Sequence, residues 1–340
     1  MKGVVYHGPG DVRVHDDLPM PQLRGPRDAV VRVTITAICG TDLHPYRHEL
    51  PGLPAGTVLG HEFVGTVAAA GTEVPFAVGD RVLASDLVAC GRCRNCALGW
   101  HYQCSEATLF GYGTVVGESL PGGQAEYVRV PFADVVLSRI PADVEDEEAL
   151  FAGDILTTGY AAVEAAGLRP GETVAVIGGG PVGACAAMSA VTAGAARVVV
   201  VDPDDGRRAW ARSRGWLAAQ PDSPEAADAD VVIEAVGDAE ALRCAVRTAA
   251  RRGRVVSIGA HHSPDLPFPA DIAFARELSV RFVVGDPIRC RDRVLDLVRA
   301  DRLDPTALVS HRLPLSAAAN GYRLFDRREA VKVLLHVGDR

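Results

Sequence analysis

The segment T-V-A-V-I-G-G-G-P-V-G, residues 173–183, constrains the fold of this 340-residue chain more than any other stretch. An apolar, β-branched run leads directly into glycines at the spacing G-x-G-x-x-G and then into a run of small residues. Glycines at this spacing permit a tight turn and the close approach of a pyrophosphate, which then sits on the N-terminus of the following helix. We therefore predict a strand, a turn and a helix that bind a dinucleotide through Gly178, Gly180, Pro181, Val182 and Gly183.

Further apolar runs follow this unit. V-V-V-V-D ends at Asp202, and D-V-V-I-E and R-V-V-S-I-G begin at Asp230 and Arg254, with helical segments between them. Unbroken β-branched runs that alternate with helices are typical of a parallel sheet covered on both faces. The sequence therefore predicts an α/β fold class, with a doubly wound Rossmann domain over residues 154–286.

Asp202 closes the second strand of this domain, 19 residues after Gly183. A carboxylate here can accept hydrogen bonds from both ribose hydroxyls and repels a 2′-phosphate, so it favours NAD over NADP. Two alternatives stay open, because Asp202 also suits a cap of the turn P-D-D-G and because Arg207 and Arg208 could reach a phosphate. We predict NAD as the cofactor.

Residues before about position 150 have a different sequence pattern, which is typical of short strands and turns. The run from Val30 to Thr36 alternates between apolar and polar residues, and glycine or proline interrupts the sequence every few positions, as in a domain of short strands. After position 287 come one helix, a loop and a last strand, which are too few elements for a separate domain. We therefore assign residues 1–153 and 287–340 to one β-rich catalytic domain.

Composition and charge exclude some classes of partner. A formal net charge of -8 disfavours contact with a phosphate backbone, so no nucleic-acid partner is expected. The start M-K-G-V-V-Y-H carries no apolar export segment, and the most apolar long run, residues 182–196, is too short to cross a bilayer. We expect a cytoplasmic protein without a membrane partner, in which clustered cysteines bind metal more often than they form disulfides.

The loop C-G-R-C-R-N-C-A-L-G-W-H-Y-Q-C places four of the eight cysteines within residues 90–104. This spacing lets one loop offer four thiolates to a zinc ion at about 2.3 Å with no open position, which makes the site structural. His101 competes in principle for the last position, and a redox pair, unligated thiols or a zinc module that reads nucleic acid are the other interpretations. We predict a structural zinc lobe with the ligands Cys90, Cys93, Cys96 and Cys104.

A second metal site is suggested by C-G-T-D-L-H at Cys39, G-H-E-F-V-G around His61 and G-D-I-L-T-T-G-Y with Asp154. One thiolate, one imidazole and one carboxylate leave a zinc ion an open position for a substrate. Each residue alone is a weak signal, because a single cysteine or histidine usually belongs to a core and Asp154 could cap the helix that follows it.

Taken in order, C-G-T-D-L-H, G-H-E-F-V-G, the four-cysteine loop and the glycine motif resemble the zinc-dependent medium-chain dehydrogenase/reductase family over essentially the whole chain. G-G-Q-A-E-Y-V-R-V-P-F-A-D at Gly122 and D-I-L-T-T-G-Y at Asp154 are most similar to its aspartate-liganded secondary alcohol and formaldehyde-dehydrogenase-like branch. The resemblance implies a GroES-like catalytic domain, with Cys39, His61 and Asp154 as ligands of a catalytic zinc and therefore two zinc ions per subunit.

The resemblance also implies roles for five further residues. Glu62 is the acidic neighbour of the metal, Thr41 and His44 form a proton relay, Arg207 occurs in NAD-using members, and Lys332 contacts the pyrophosphate. In the implied reaction an alcohol binds zinc as an alkoxide and gives a hydride to NAD, while the relay carries its proton away. The implied substrate is a small alcohol or carbonyl compound, and the implied assembly is a homodimer or homotetramer.

Two other functions remain open at this point. The scaffold could belong to a biosynthetic reductase that acts on an enone or iminium without zinc as a Lewis acid, or to a non-catalytic binder of zinc and nucleotide. The segment after Gly215 is also shorter than in the family, which predicts a trimmed edge of the Rossmann sheet.

Overall fold

The computed structural model describes residues 1–261 and 265–338. His262, which follows the strand near Arg254, lies outside the described residues. Within them, strands run over β1 Gly3–Gly8, β2 Asp11–His15, β3 Ala29–Ile38, β4 Phe63–Ala70, β5 Arg81–Ala84, β6 Leu87–Val88, β7 Thr108–Leu109, β8 Tyr127–Val130, β9 Leu137–Arg139, β10 Thr173–Ile177, β11 Arg197–Val201, β12 Leu217–Ala219, β13 Ala229–Glu234, β14 Ala249–Ser257, β15 Ser279–Phe282, β16 Val309–Pro314 and β17 Lys332–His336.

Helices of very different length connect these strands. The α-helices are α1 Leu43–Arg47, α2 Arg94–Ala97, α3 Ala133–Val136, α4 Asp146–Leu150, α5 Ile155–Ala166, α6 Pro181–Thr192, α7 Asp205–Ser213, α8 Ala239–Thr248, α9 Ala270–Ala275, α10 Pro287–Arg299 and α11 Ala318–Asp326. Single 3₁₀ turns occupy His101–Gln103, Phe151–Gly153, Pro224–Ala226, Pro305–Leu308 and Leu315–Ala317. No helix in the described ranges is long and apolar enough to cross a membrane.

The chain divides into two compact units. The first contains residues 1–154, 286–299 and 305–340, and the second contains residues 155–285 and 300–304. The boundaries expected from the sequence were 153/154 and 286/287, with no return of the chain to the second unit at 300–304.

The first unit is built on a seven-stranded sheet. Its path is β16-β17-β3-β4-β5-β9, and β8 pairs with β3 as well. The predicted strand near Val30 is confirmed as β3, in which eight of ten residues are buried, so both faces of the strand are packed. The last strand, β17, pairs antiparallel with β3 and places Leu335 opposite Thr36, so the C-terminal segment contributes a strand to this sheet.

The second unit contains a six-stranded parallel sheet with the order β12-β11-β10-β13-β14-β15. The order reverses between β10 and β13, which is the arrangement of a doubly wound Rossmann fold. The Rossmann prediction is therefore confirmed. The edge strand β12 after Gly215 is present but has only three residues, and the opposite edge strand β15 is mostly exposed.

Candidate metal centres and cofactor site

Strand pairing brings Cys39 and His61 to one edge of the first unit. Cys39 follows the end of β3, and His61 precedes the start of β4. The two strands are antiparallel, with Thr36 opposite Phe63, so the end of one lies beside the start of the other. The hydroxyl of Thr36 donates to the backbone oxygen of Glu62 at 2.7 Å and fixes this edge. Residues 22 positions apart in sequence therefore present their side chains together.

Asp154 completes a set of metal donors. It follows a single 3₁₀ turn and directly precedes α5. Its Oδ2 lies 3.5 Å from Cys39 Sγ and 3.4 Å from His61 Nε2. Donor atoms of Cys39, His61, Glu62 and Asp154 all lie within 4.8 Å of one another. His61 Nε2 is buried and has no hydrogen-bond partner among the described residues, as expected of a nitrogen that serves as a ligand. The donor set therefore fits a zinc ion with an open position.

Burial and charge explain the protonation of these donors. Burial, reinforced by the negative charges of Glu62 and Asp154, raises the pKa of the Cys39 thiol to about 11. Burial alone would lower the pKa of His61, but Asp42, Asp154 and Cys39 more than offset it, so the net shift is upward. Three negative or potentially negative groups thus surround one site, and a divalent cation would offset most of their charge.

Glu62 forms a fully buried ion pair with Lys332. Both side chains are 1% exposed, and Lys332 Nζ donates to Glu62 Oε2. Burial raises the pKa of Glu62 to about 7, with the charge of Lys332 opposing the shift. Lys332 was expected to contact a pyrophosphate, but the structure gives this ammonium group a different partner, the carboxylate beside the metal donors. Glu62 Oε1 is left without a partner in the described part of the chain.

The sequence reasoning missed a polar network behind His61. Asp42 Oδ1 lies 3.4 Å from His61 Nδ1, and Asp42 Oδ2 accepts the backbone N–H of Cys39 at 2.9 Å. Gln124 Nε2 lies 3.4 Å from Asp42 Oδ2, and the Tyr322 hydroxyl donates to Gln124 Oε1 at 2.9 Å. A carboxylate on the second imidazole nitrogen orients the ring toward the metal. The signal was present in C-G-T-D-L-H, where the aspartate stands three residues after Cys39.

We expect Asp42→Asn to weaken zinc binding at the Cys39 site by about 10–100-fold, because the imidazole loses the carboxylate that orients it. Zinc affinity, measured by competition with a chelating dye, checks this result, and the four-cysteine site serves as an internal reference. Asp28→Asn is the matched control, since Asp28 is another buried aspartate of the same unit and pairs with Arg129 at 3.0 Å. Equal zinc affinity in both variants would contradict a role for Asp42.

The two predicted relay residues lie on the turn that enters α1. Thr41 and His44 are both half-buried, and the backbone N–H of His44 donates to the Thr41 carbonyl at 3.3 Å. They follow Cys39 directly, so the chain delivers a hydroxyl and an imidazole next to a metal donor.

The four cysteines of residues 90–104 form a separate cluster in the first unit. Their sulfur atoms all lie within 4.8 Å of one another, and Cys93 and Cys96 are 3.5 Å apart without a disulfide. Tetrahedral zinc with Zn–S distances of about 2.3 Å requires comparable spacing. Backbone N–H groups of Cys90 and Glu106 donate to Cys104 Sγ, each at 3.3 Å. His101 is not part of the cluster, because its Nδ1 lies 2.9 Å from both carboxylate oxygens of Asp286.

The glycine motif of the second unit has the predicted strand-turn-helix geometry. Gly178 follows β10 with a φ of +96°, a conformation that favours glycine. Gly180 caps α6, whose first residue is Pro181 and whose next is Val182. A Cβ on Gly183 would overlap the carbonyl oxygen of Gly178, so the helix can approach the strand only with glycine there. The turn is thus shaped for a pyrophosphate at the start of α6.

Asp202 lies beside this turn because β10 and β11 pair in parallel with Ile177 opposite Val201. It is 2% exposed, and its Oδ2 accepts the Gly179 N–H at 2.7 Å. The guanidinium of Arg207 lies 3.2 Å from the same oxygen, so Arg207 is paired with Asp202. The predicted adenosine-side residues are therefore brought together within the second unit.

A parallel sheet with a dinucleotide-binding turn, joined in one chain to a β-rich unit with a mixed sulfur, nitrogen and oxygen donor set, defines a metal-dependent dehydrogenase. Two family models match: the alcohol dehydrogenase GroES-like domain over residues 25–142 and the zinc-binding dehydrogenase domain over residues 181–300. The chain belongs to the zinc-dependent medium-chain alcohol dehydrogenase family.

Individual relatives agree with this assignment. A probable zinc-binding alcohol dehydrogenase of Mycobacterium tuberculosis is 38% identical over 333 residues, which cover 95% of this chain and 84% of that protein. The alcohol dehydrogenase TADH from Thermus sp. ATN1 superposes with a TM-score of 0.94 at 40% identity, covering 99% of this chain and 100% of that one. A zinc-binding dehydrogenase from Sinorhizobium meliloti, solved with NADP, superposes with a TM-score of 0.86 at 30% identity and 98% coverage of both chains. The predicted GroES-like fold, the zinc and nicotinamide cofactor class and the alcohol oxidoreductase class are thereby confirmed.

Proposed function

We propose that this protein is an NAD-dependent, zinc-dependent dehydrogenase that transfers a hydride between an alcohol and NAD. The observation that carries the proposal is the set of donor atoms of Cys39, His61 and Asp154, all within 4.8 Å and separate from the four-cysteine cluster. When bound to these three residues, a zinc ion supplies Lewis acidity that makes an alcohol hydroxyl easier to deprotonate. The four cysteines hold a second zinc with a structural role.

The protein groups around the donors orient the site and move a proton. Asp42 fixes the tautomer of His61 by accepting from Nδ1, and Lys332 holds Glu62 beside the donors. In the proposed relay the Thr41 hydroxyl accepts the proton of the substrate hydroxyl as it gives up its own, and the half-buried His44 imidazole takes up the proton released and passes it to solvent.

NAD is the proposed cofactor because of the charge of Asp202. The carboxylate lies against the glycine turn, where it accepts ribose hydroxyl protons and repels a 2′-phosphate. The Sinorhizobium meliloti relative was solved with NADP, so the fold alone does not decide the choice. Pairing of Arg207 with Asp202 supports NAD, since the guanidinium is engaged by a carboxylate.

The proposed assembly is a homodimer or homotetramer. The edge strand β15 is mostly exposed, and its residue Phe282 is 58% exposed. An exposed edge strand of this kind can pair with a strand of another subunit, which is compatible with an oligomer.

The zinc-loaded protein should oxidise at least one class among primary alcohols, secondary alcohols, polyols and hydroxy-amino acids, with NAD preferred over NADP by about tenfold or more in kcat/KM because of charge repulsion at Asp202. The test measures formation of the reduced cofactor across this panel, with NAD and with NADP. Asp202→Ser should reduce the preference for NAD over NADP in kcat/KM. Tight NADH binding with no oxidation of any alcohol would instead indicate a biosynthetic reductase.

A further inference from the structure

A second buried carboxylate, Asp86, lies beside the proposed catalytic metal donors. It stands between β5 and β6, and its backbone N–H donates to the carbonyl oxygen of Gly153 at 3.0 Å. Gly153 directly precedes Asp154, and consecutive Cα atoms are about 3.8 Å apart. The backbone of Asp86 is therefore bonded to the residue next to a metal donor.

The side chain of Asp86 has one satisfied and one free oxygen. The residue is 5% exposed, and the Tyr102 hydroxyl donates to its Oδ2. Its Oδ1 is buried and lacks a hydrogen-bond partner throughout residues 1–261 and 265–338. Burying an unpaired carboxyl oxygen is costly, so such a group calls for a partner that occupies the site only during function.

The backbone hydrogen bond to Gly153 places Asp86 beside the segment that carries the proposed metal donor Asp154, and the carboxylate has one oxygen left for a ligand. An ammonium group needs an ionised carboxylate as its partner, whereas a hydroxyl group can donate to a carboxylate or accept from a carboxylic acid. A neutral hydroxyl is therefore the partner that suits Asp86 in either state.

We propose that Asp86 is a specificity-determining residue whose free oxygen binds a second hydroxyl of the substrate, so that the preferred substrates are diols or polyols rather than simple alcohols. Tyr102 is the positioning residue that holds Oδ2 and leaves Oδ1 for the substrate. This inference rests on the proposed oxidation of an alcohol at Cys39, His61 and Asp154, and it adds the substrate class.

The position of Tyr102 is itself well fixed. It lies in the 3₁₀ turn between two anchored neighbours: the backbone and ring of His101 both bond to Asp286, and Cys104 belongs to the four-cysteine cluster. The phenol is therefore presented to Asp86 by a turn held on both sides.

The test compares matched pairs of alcohols on the zinc-loaded enzyme with NAD, namely ethylene glycol against ethanol and glycerol against isopropanol. We expect the wild type to favour the hydroxyl-rich member in kcat/KM, and Asp86→Leu to lower that ratio by about tenfold or more while oxidation of the simple alcohol persists. Asp86→Asn, which keeps the shape, should lower the ratio less, and Tyr102→Phe should raise KM for the diol more than it lowers kcat.

Asp28→Asn is the control for loss of a buried carboxylate in the same unit and should leave the ratio unchanged. If the wild type oxidises both members of each pair equally, or if neither Asp86 variant changes the ratio, the specificity role is wrong while the proposed alcohol oxidation stands. If the wild type oxidises none of the four alcohols, this inference is overturned, and the proposed function is overturned with it when the hydroxy-amino acids of the panel are not oxidised either.

Discussion

Replacing Cys39 by serine should lower kcat/KM for alcohol oxidation by about a thousandfold or more, because the loss of Lewis acidity at a reacting oxygen costs several kcal/mol of transition-state stabilisation. A serine hydroxyl is a much poorer zinc ligand than a thiolate, and Cys39 is one of the three residues proposed to bind that zinc. NADH affinity should remain within about twofold, since the glycine turn belongs to the other compact unit. Zinc content should fall from two ions to one per chain.

The matched control is Cys244→Ser, because Cys244 is a buried cysteine outside both clusters, and its sulfur lies 3.9 Å from the Thr248 hydroxyl. It should keep full zinc content and activity. A Cys39→Ser protein that retains two zinc ions, or that oxidises alcohols at the wild-type rate, would exclude Cys39 as a ligand of a catalytic metal.

Replacing Lys332 by methionine should destabilise the protein by about 3–5 kcal/mol and lower its melting temperature by roughly 5–10 °C, because Glu62 is then left buried without its counter-charge. Both partners are 1% exposed, so water cannot replace the lost ammonium group. Calorimetry of the zinc-loaded protein measures the change. The double variant Glu62→Leu with Lys332→Met removes both charges and should recover most of the lost stability.

Arg312→Met provides the comparison, since Arg312 pairs with Glu147 at 2.6 Å but its side chain is 50% exposed. Such a pair contributes at most about 1 kcal/mol.

The same Lys332→Met protein distinguishes between two roles for the lysine, which are the ion pair with Glu62 and a contact with the pyrophosphate. A normal melting temperature together with at least about tenfold weaker NADH binding would favour a pyrophosphate contact over the buried pair with Glu62.

Local chemistry made much of this protein predictable. Each continuous β-branched run from Thr173 to Ser257 forms a strand of the parallel sheet, because such runs suit a strand buried on both faces. The cysteine spacing of residues 90–104 predicted a cluster within one loop, and the sulfur atoms do lie together. In both cases the informative residues are neighbours in sequence.

Contacts between residues far apart in the sequence were harder to predict from the sequence. Cys39, His61 and Asp154 were weak candidates one by one, and only their resemblance to a family joined them before the structure placed their donor atoms together. Asp42 was part of a motif and had no predicted role. Lys332 was expected to contact a pyrophosphate, and its ion pair with Glu62 was not foreseen. Asp86 carried no signal at all, since a single aspartate between two short strands is ordinary in sequence.

The sequence by itself determined the elements: a glycine turn that only glycine can form, strands set by β-branched runs, and a loop with four thiolates. The tertiary structure decided which polar groups became buried partners. The antiparallel pairing of β3 with β4 and of β17 with β3 brings together residues far apart along the chain, including Lys332 and Glu62. Burial then fixes their partners, because away from water a charged or polar group must be paired by the protein or by a ligand.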